Sequence, residues 1–189
     1  MPAPSRTRVM AMLATCAVFV CCLGASGNAR PQEAGLPTRC AAAPHPLEVL
    51  QRLNAVRSQG AICHSTGSLR FAAPLRWSDS LAAVATTQSR DMVTMKRMRH
   101  RDTLDRALSE RLTAHGYRFS VAVENIAVGY DTLDDVVKAW LRSEGHCDNM
   151  LNGAVLELGL ACSDDATSPE PGDRRYWTLV LGTPARSAR

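Results

Sequence analysis

Seven cysteines and five histidines are the side chains of this sequence with the widest chemistry. Thiolates and imidazoles bind metals, and an imidazole beside a carboxylate or a hydroxyl can move protons. Local spacing assigns none of these roles. An H-E-x-x-H run, which would place two zinc ligands on one helix face, is absent, and no G-x-S-x-G elbow surrounds Ser143. His100 stands between Arg99 and Arg101, whose charge opposes a bound cation, so alone it reads as a surface histidine. His146 follows Gly145, and a glycine permits tight approach to a cleft. His45, His64 and His115 have no supporting neighbours.

The cysteines divide by position. Arg6 and Arg8 precede an apolar stretch from Val9 to Leu23 and then small residues, the pattern of an export leader over residues 1–29, cleaved after Gly27 or Ala29. The stretch falls short of the roughly 20 residues of a spanning helix, and Val20 before Cys21 does not suit a lipoprotein anchor, so no stable membrane anchor is expected after cleavage. Cys16, Cys21 and Cys22 leave with the leader, whereas Cys40, Cys63, Cys147 and Cys162 remain. Without a C-x-x-C pair among them, four cysteines in a secreted or periplasmic chain indicate two disulfides, for which three connectivities exist. The formal charge of +4 falls by two on loss of Arg6 and Arg8. The dense basic run Lys96, Arg97, Arg99, Arg101 has no interleaved aromatics, which argues against a nucleic-acid partner.

Positioning these residues falls to elements legible from periodicity. The 189 residues and 46% apolar content suffice for one core. Residues 30–45, rich in Pro, Ala and Gly, read as an extended arm. Pro46 to Gln59 carries Leu47, Leu50, Leu53 and Val56 at helical spacing before Gly60. Ser78 caps a longer helix with Leu81, Val84, Ala85, Gln88, Met92 and Met95 inward. A third helix is expected from a Thr103 cap through Leu104, Ala107, Leu108 and Leu112 to Gly116, and a fourth from Thr132 and Asp135 through Val136, Val137, Trp140 and Leu141. Val121 to Val128 reads as a strand. Leu156 to Cys162 and Tyr176 to Leu181 read as a hairpin joined by a loop containing Pro169, Pro171 and Gly172. Helices first and strands late give an α+β fold with antiparallel pairing.

Several segments occur in a telling order: Leu75-Arg76-Trp77-Ser78, His100, Arg111-Leu112 with Gly116-Tyr117, Glu124-Asn125-Ile126-Ala127, Trp140-Leu141-Arg142-Ser143-Glu144-Gly145-His146, Asn149, Leu151, Gly159 and Tyr176-Trp177. The series resembles the bacterial branch of the CAP superfamily (cysteine-rich secretory, antigen 5 and pathogenesis-related 1 proteins, the SCP domain). The resemblance implies an α-β-α sandwich with a small antiparallel sheet between helical layers over residues 46–183, followed by a tail, 184–189. It also implies an envelope or extracellular location and a cleft in which His100, Glu124 and His146 converge. Two imidazoles and a carboxylate would suit zinc or another divalent metal, with a coordination position left for water. Where many relatives carry a second glutamate this chain has Ser143, with Glu144 one residue on.

Other readings of these residues stand beside that one. Glu124 can be a buried carboxylate paired with a histidine, holding strand to helix, and Asn125 suits backbone hydrogen bonds. Ser143, His146 and Glu124 supply the types of a nucleophile, base and orienter, although Ser143 fits a turn or helix cap equally well. Short closures predict disulfides Cys40–Cys63 and Cys147–Cys162. The expected function is a monomeric secreted module whose cleft binds an extracellular lipid or peptide, with an optional metal; the alternative is a metal-dependent peptidase or esterase.

Overall fold

A computed structural model describes residues 44–169 and 175–186 of the chain. The expected leader and all but the end of the expected arm, Cys40 included, lie outside these residues. Helix α1, Pro46–Gln59, starts where His45 accepts a hydrogen bond from the Leu47 amide (3.3 Å) and Pro46 takes the first turn; it stops at Gly60, whose φ is 77°. Its buried face is Val49, Leu53, Val56 and Arg57, while Leu47 is exposed. Arg57 is a hub: its guanidinium donates to the carbonyls of Ala73 (2.6 Å), Met150 (2.7 Å) and Asn152 (3.1 Å). Burial lowers its pKa to about 10, so the cation persists at neutral pH.

A ribbon of β1, Ala61–Ile62, and β2, Leu69–Arg70, leads to β3, Arg76–Trp77, and then to α2, Asp79–Met95, with Ser78 at its N-cap. Helix α3, Leu108–Ala114, precedes β4, Phe119–Val128. Two helices follow, α4 over Leu133–Arg142 and α5 over Glu144–Met150, and the chain closes with β5, Glu157–Asp164, and β6, Arg175–Pro184. The main sheet has the order β3-β5-β6-β4. The expected hairpin is β5 paired with β6, and β4 adds antiparallel to β6, whereas short β3 runs parallel to β5.

Alternation along the strands makes the layers. Leu158, Leu160 and Cys162 of β5 join Trp177, Leu179 and Leu181 of β6 in a core with Val49 and Leu53 of α1 and Val136, Val137 and Trp140 of α4. The intervening Ala161 and Val180 pack with Leu81, Val84 and Ala85 of α2 and Leu112 of α3. The sheet is therefore buried on both faces, as the α-β-α sandwich requires. Small residues face α2 because the helix comes very close: a Cβ on Gly159 would lie 2.0 Å from the Ala82 amide nitrogen and 2.3 Å from the Leu81 carbonyl carbon.

Three expectations are corrected. The third helix begins at Leu108, not after Thr103, because the buried Asp102 carboxylate accepts from the amides of Leu104 (3.0 Å) and Arg106 (2.8 Å) and from Arg106 Nε (2.7 Å), winding 102–106 into a turn with Asp105 at φ 60°. The Gly-His segment is the first turn of α5, and a Cβ on Gly145 would meet nothing within 4 Å, so the tight approach expected of that glycine is not made. The disulfide pairing also differs. Cys63 is bonded to Cys147, 84 residues away, with a Cα separation of 5.6 Å. The fold brings α5 against the turn after β1, where Ser65 Oγ and Arg70 Nη1 each bond Asp148 at 2.6 Å. Proximity in sequence was the wrong guide. Cys162 is disulfide-bonded too, and with Cys63 and Cys147 joined its partner lies outside the described residues.

Peptide mapping of the oxidised protein is expected to recover Cys63 and Cys147 in one cross-linked fragment, and a Cys40–Cys63 fragment would contradict the structure. Closing a loop of 84 residues is worth on the order of 4 kcal/mol in the unfolded-state entropy account, so the double variant Cys63→Ser/Cys147→Ser should lose about that much in guanidinium unfolding. Gly159→Ala should cost about 3 kcal/mol by the same measurement, because helix backbone and not a pliable side chain meets the new methyl; a variant within 0.5 kcal/mol of wild type would mean that α2 can move away freely.

Candidate functional site

Strand β4 is the edge of the main sheet, bonded only to β6. Its successive side chains face opposite layers: Asn125 and Ala127 toward α4 and α5, and Ile126 toward the end of α2, where it packs with Met92 and Tyr176. Glu124, one residue before Asn125, therefore points toward the α2–α3 side. This alternation lets two adjacent residues hold both histidines.

His100 comes from the connection between α2 and α3. Lys96 ends α2 in the left-handed region (φ 51°), and Gln88 Nε2 bonds the Arg99 carbonyl at 2.6 Å, which fixes the segment over β4. The ring Nδ1 of His100 lies 2.9 Å from Glu124 Oε1. A carboxylate has no proton to give, so Nδ1 carries the hydrogen and Nε2 of the neutral ring keeps its lone pair. The side chain of Glu124 is 3% exposed against 58% for His100. Below them Arg111 of α3, 1% exposed at its side chain, donates Nη2 to Glu124 Oε1 at 3.0 Å and to the His100 carbonyl at 3.1 Å, and lies 2.9 Å from Oε2.

His146 comes from the other layer, in the first turns of α5. Asn125 Nδ2 bonds its carbonyl at 2.9 Å, and Asn149 Nδ2 bonds Asn125 Oδ1 at 2.8 Å. The two histidines meet around the sheet edge closely enough to interact: burial first, and then the charge of His100, lower the pKa of His146. Beside His146 a cavity of ≈ 220 Å³ is walled by Met98, Ile126, Val128, Tyr130, Ala139 and Trp140, with Ser143 at its rim.

The structure thus joins His100 to Glu124 directly and brings His146 near them, but it does not assemble the expected metal set. Arg111 already neutralises both carboxylate oxygens, and a second cation there would face a guanidinium that does not deprotonate. Among the described residues no three His, Cys, Asp or Glu side chains are grouped to hold an ion. These residues as arranged do not fit a divalent metal. The serine relay is likewise unassembled, since Glu124 orients His100 and not His146, and Ser143 is the junction of α4 and α5. Arg111 is the functional residue that sequence reasoning left out of the site, although a signal existed: it falls between Leu108 and Leu112 on the inward face of α3, where a cation must find a partner.

By NMR titration the His146 ring should show a midpoint below the usual 6.5, rising only partway in His100→Gln because burial is the larger cause. The folded value lies below the unfolded one, so protonation favours the unfolded chain. The contribution of His146 to stability is present above about pH 6.5 and is lost as pH falls through its folded value. A midpoint at or above that of a free histidine would contradict the placement.

Comparison with known proteins agrees with this architecture. The model of the cysteine-rich secretory protein family, CAP, matches residues 50–181. The uncharacterized protein YkwD of Bacillus subtilis is 33% identical over 87 residues, 46% of this chain and 34% of that protein. A solved extracellular protein containing an SCP domain from Bacillus anthracis superposes with a TM-score of 0.56 at 25% identity, covering 72% of this chain and 39% of that one. An outer surface protein of Borrelia burgdorferi superposes at 0.57 with 17% identity, covering 76% and 98%, which shows the fold alone. The chain spans only about a third of the length of YkwD. No helix among the described residues is long and apolar enough to cross a membrane. The chain belongs to the cysteine-rich secretory protein (CAP) family, with a bacterial-type SCP domain.

Proposed function

We propose that this chain is an exported CAP module that binds the apolar part of a lipid or peptide in the cavity beside His146, and that it does so without a metal. The observation that carries this reading is the pairing of a charge-complete, buried Glu124–Arg111 unit with an open apolar cavity at the same sheet edge. Apolar walls with a few convergent polar groups are the usual composition of a ligand site. Here the polar groups are the exposed ring of His100, the half-buried ring of His146 and the hydroxyl of Ser143. Export is supported by the leader pattern and by disulfide bonding, which persists in oxidising compartments.

The hydrolase reading draws on one feature, the His100–Glu124 pair, which leaves Nε2 as a base. It lacks a bonded nucleophile, because the Ser143 hydroxyl makes no hydrogen bond among the described residues. Binding is therefore the reading that the geometry favours.

Native mass spectrometry of the mature protein, combined with titration by 1-anilinonaphthalene-8-sulfonate, tests it. Wild type should bind the dye or retain a co-purified species, and Ala139→Met, which fills the cavity from α4 without disturbing helix propensity, should lower binding at least tenfold. Equal binding by both proteins would place the site elsewhere. Hydrolysis of p-nitrophenyl esters abolished by His100→Gln would favour the enzyme.

A further inference from the structure

An edge strand exposes alternate backbone groups, and β4 deals with only some of them. The Gly129 amide donates to the Arg175 carbonyl at 3.0 Å, continuing the ladder in which the odd-numbered residues of β4 turn toward β6. The even-numbered residues therefore turn their N–H and C=O groups away from the sheet. The carbonyl of Glu124 is taken by the Asn149 amide at 3.4 Å, and that of Ile126 by the Trp140 indole at 3.2 Å. Side chains from α5 and α4 thus cap the edge for two steps. At Val128, the third step, no side chain among the described residues reaches the backbone, and the Ile126 amide is likewise left without one.

This uncapped stretch is the floor of the apolar cavity. Met98 and Val128 also wall a second cavity, of ≈ 530 Å³, lined besides by Lys96, Arg97, Asp165, Thr167 and Tyr176. Two of its charges are spoken for, since the Lys96 ammonium is bonded to Asp165 and to Thr167 Oγ1. The Arg97 guanidinium has no side-chain partner among the described residues. Val128 thus adjoins both an apolar pocket and a space holding a guanidinium that has no side-chain partner among the described residues.

We propose that the uncapped end of β4 at Val128, with the Ile126 amide beside it, binds an extended peptide as an added strand, with an apolar side chain in the Trp140 cavity and a carboxylate, from an acidic side chain or a C-terminus, at Arg97. The proposal rests on the reading of the cavity as a ligand site and narrows its ligand to one class. An acyl chain would fill the apolar space yet leave the Ile126 amide and the Val128 groups covered and unbonded, which is costly. A peptide strand supplies an alternating donor and acceptor for them. Met98 and Val128 wall both spaces, so one extended peptide running past them can meet pocket and guanidinium together.

The test uses the mature chain and a positional library of fluorescein-labelled pentapeptides with free C-termini, read by fluorescence polarisation. The best peptide is then remade with single N-methyl groups at each position and with a C-terminal amide. Methylation at alternate positions, those facing β4, should weaken binding at least tenfold, and methylation at intervening positions should have little effect. Because the change is made in the peptide, protein folding is not at issue. Arg97→Glu should weaken a peptide bearing the carboxylate about tenfold and leave the matching uncharged peptide unchanged. Equal loss at every methylated position, or indifference to Arg97, would overturn the proposal. If no peptide binds while dodecanoate displaces 1-anilinonaphthalene-8-sulfonate from wild type but not from Ala139→Met, the cavity is a ligand site and the peptide inference is wrong. If neither probe binds, the ligand-site reading fails with it.

Discussion

The buried ion pair between Arg111 and Glu124 is the interaction on which the candidate site depends. Both side chains are removed from water, and such a pair rarely adds net stability because each charge forfeits its hydration. The pair is not even fully satisfied: among the described residues Arg111 Nε and Nη1 lack hydrogen-bond partners, and Glu124 Oε2, though 2.9 Å from Nη2, lies outside bonding geometry. What the pair does is positional. Nη2 of Arg111 reaches both the carboxylate and the His100 carbonyl, so one nitrogen ties α3, the α2–α3 connection and β4 together. Removing either charge would leave the other buried and alone, a larger loss than the pair is worth.

Where this site can form follows from the sheet. Both faces of β5 and β6 are closed by helices, on one side because Gly159 and Ala161 let α2 descend onto the strands and on the other because Leu158, Leu160, Leu179 and Leu181 fill the space beneath α1 and α4. The edge at β4 lets elements from the two layers meet. Glu124 and Asn125 exploit this, since adjacent residues on a strand point to opposite faces and each can hold one histidine.

The sequence was most legible where periodicity and caps carry the signal. The bounds of α1, the Ser78 and Thr132 caps and the β5–β6 pairing follow from apolar spacing and turn chemistry, which act over a few residues. Expectations failed where a single side chain or a distant contact decides. Asp102 overrode helix propensity from Thr103 onward by capturing two backbone amides. The seven residues of α5 contain a glycine and are too short for a period to show. Cysteine spacing carried no information on pairing, because Cys147 meets Cys63 only once α5 packs against the turn after β1. The three site residues were named through family resemblance, since each lies more than twenty positions from the next, and Arg111, whose charge changes the chemistry of the set, showed only as a cation on an apolar helix face.

That cation changes what the histidines can be. With a divalent ion, both rings would be spent as ligands and held to the metal's geometry. With a guanidinium under the carboxylate, the charge of Glu124 is balanced from beneath, and His100 is oriented by one bond through Nδ1 while its ring stays largely exposed. Burial disfavours the protonated form of His146, and the neutral ring can donate from one nitrogen and accept at the other. The position of His146 in turn rests on the residue after it, because Cys147 anchors α5 to Cys63. Reduction would leave the Asn125 contact and the packing of α5 to hold that wall of the cavity unaided. The arrangement is therefore suited to an oxidising compartment, where the disulfide that fixes the helix also fixes the cavity-lining ring.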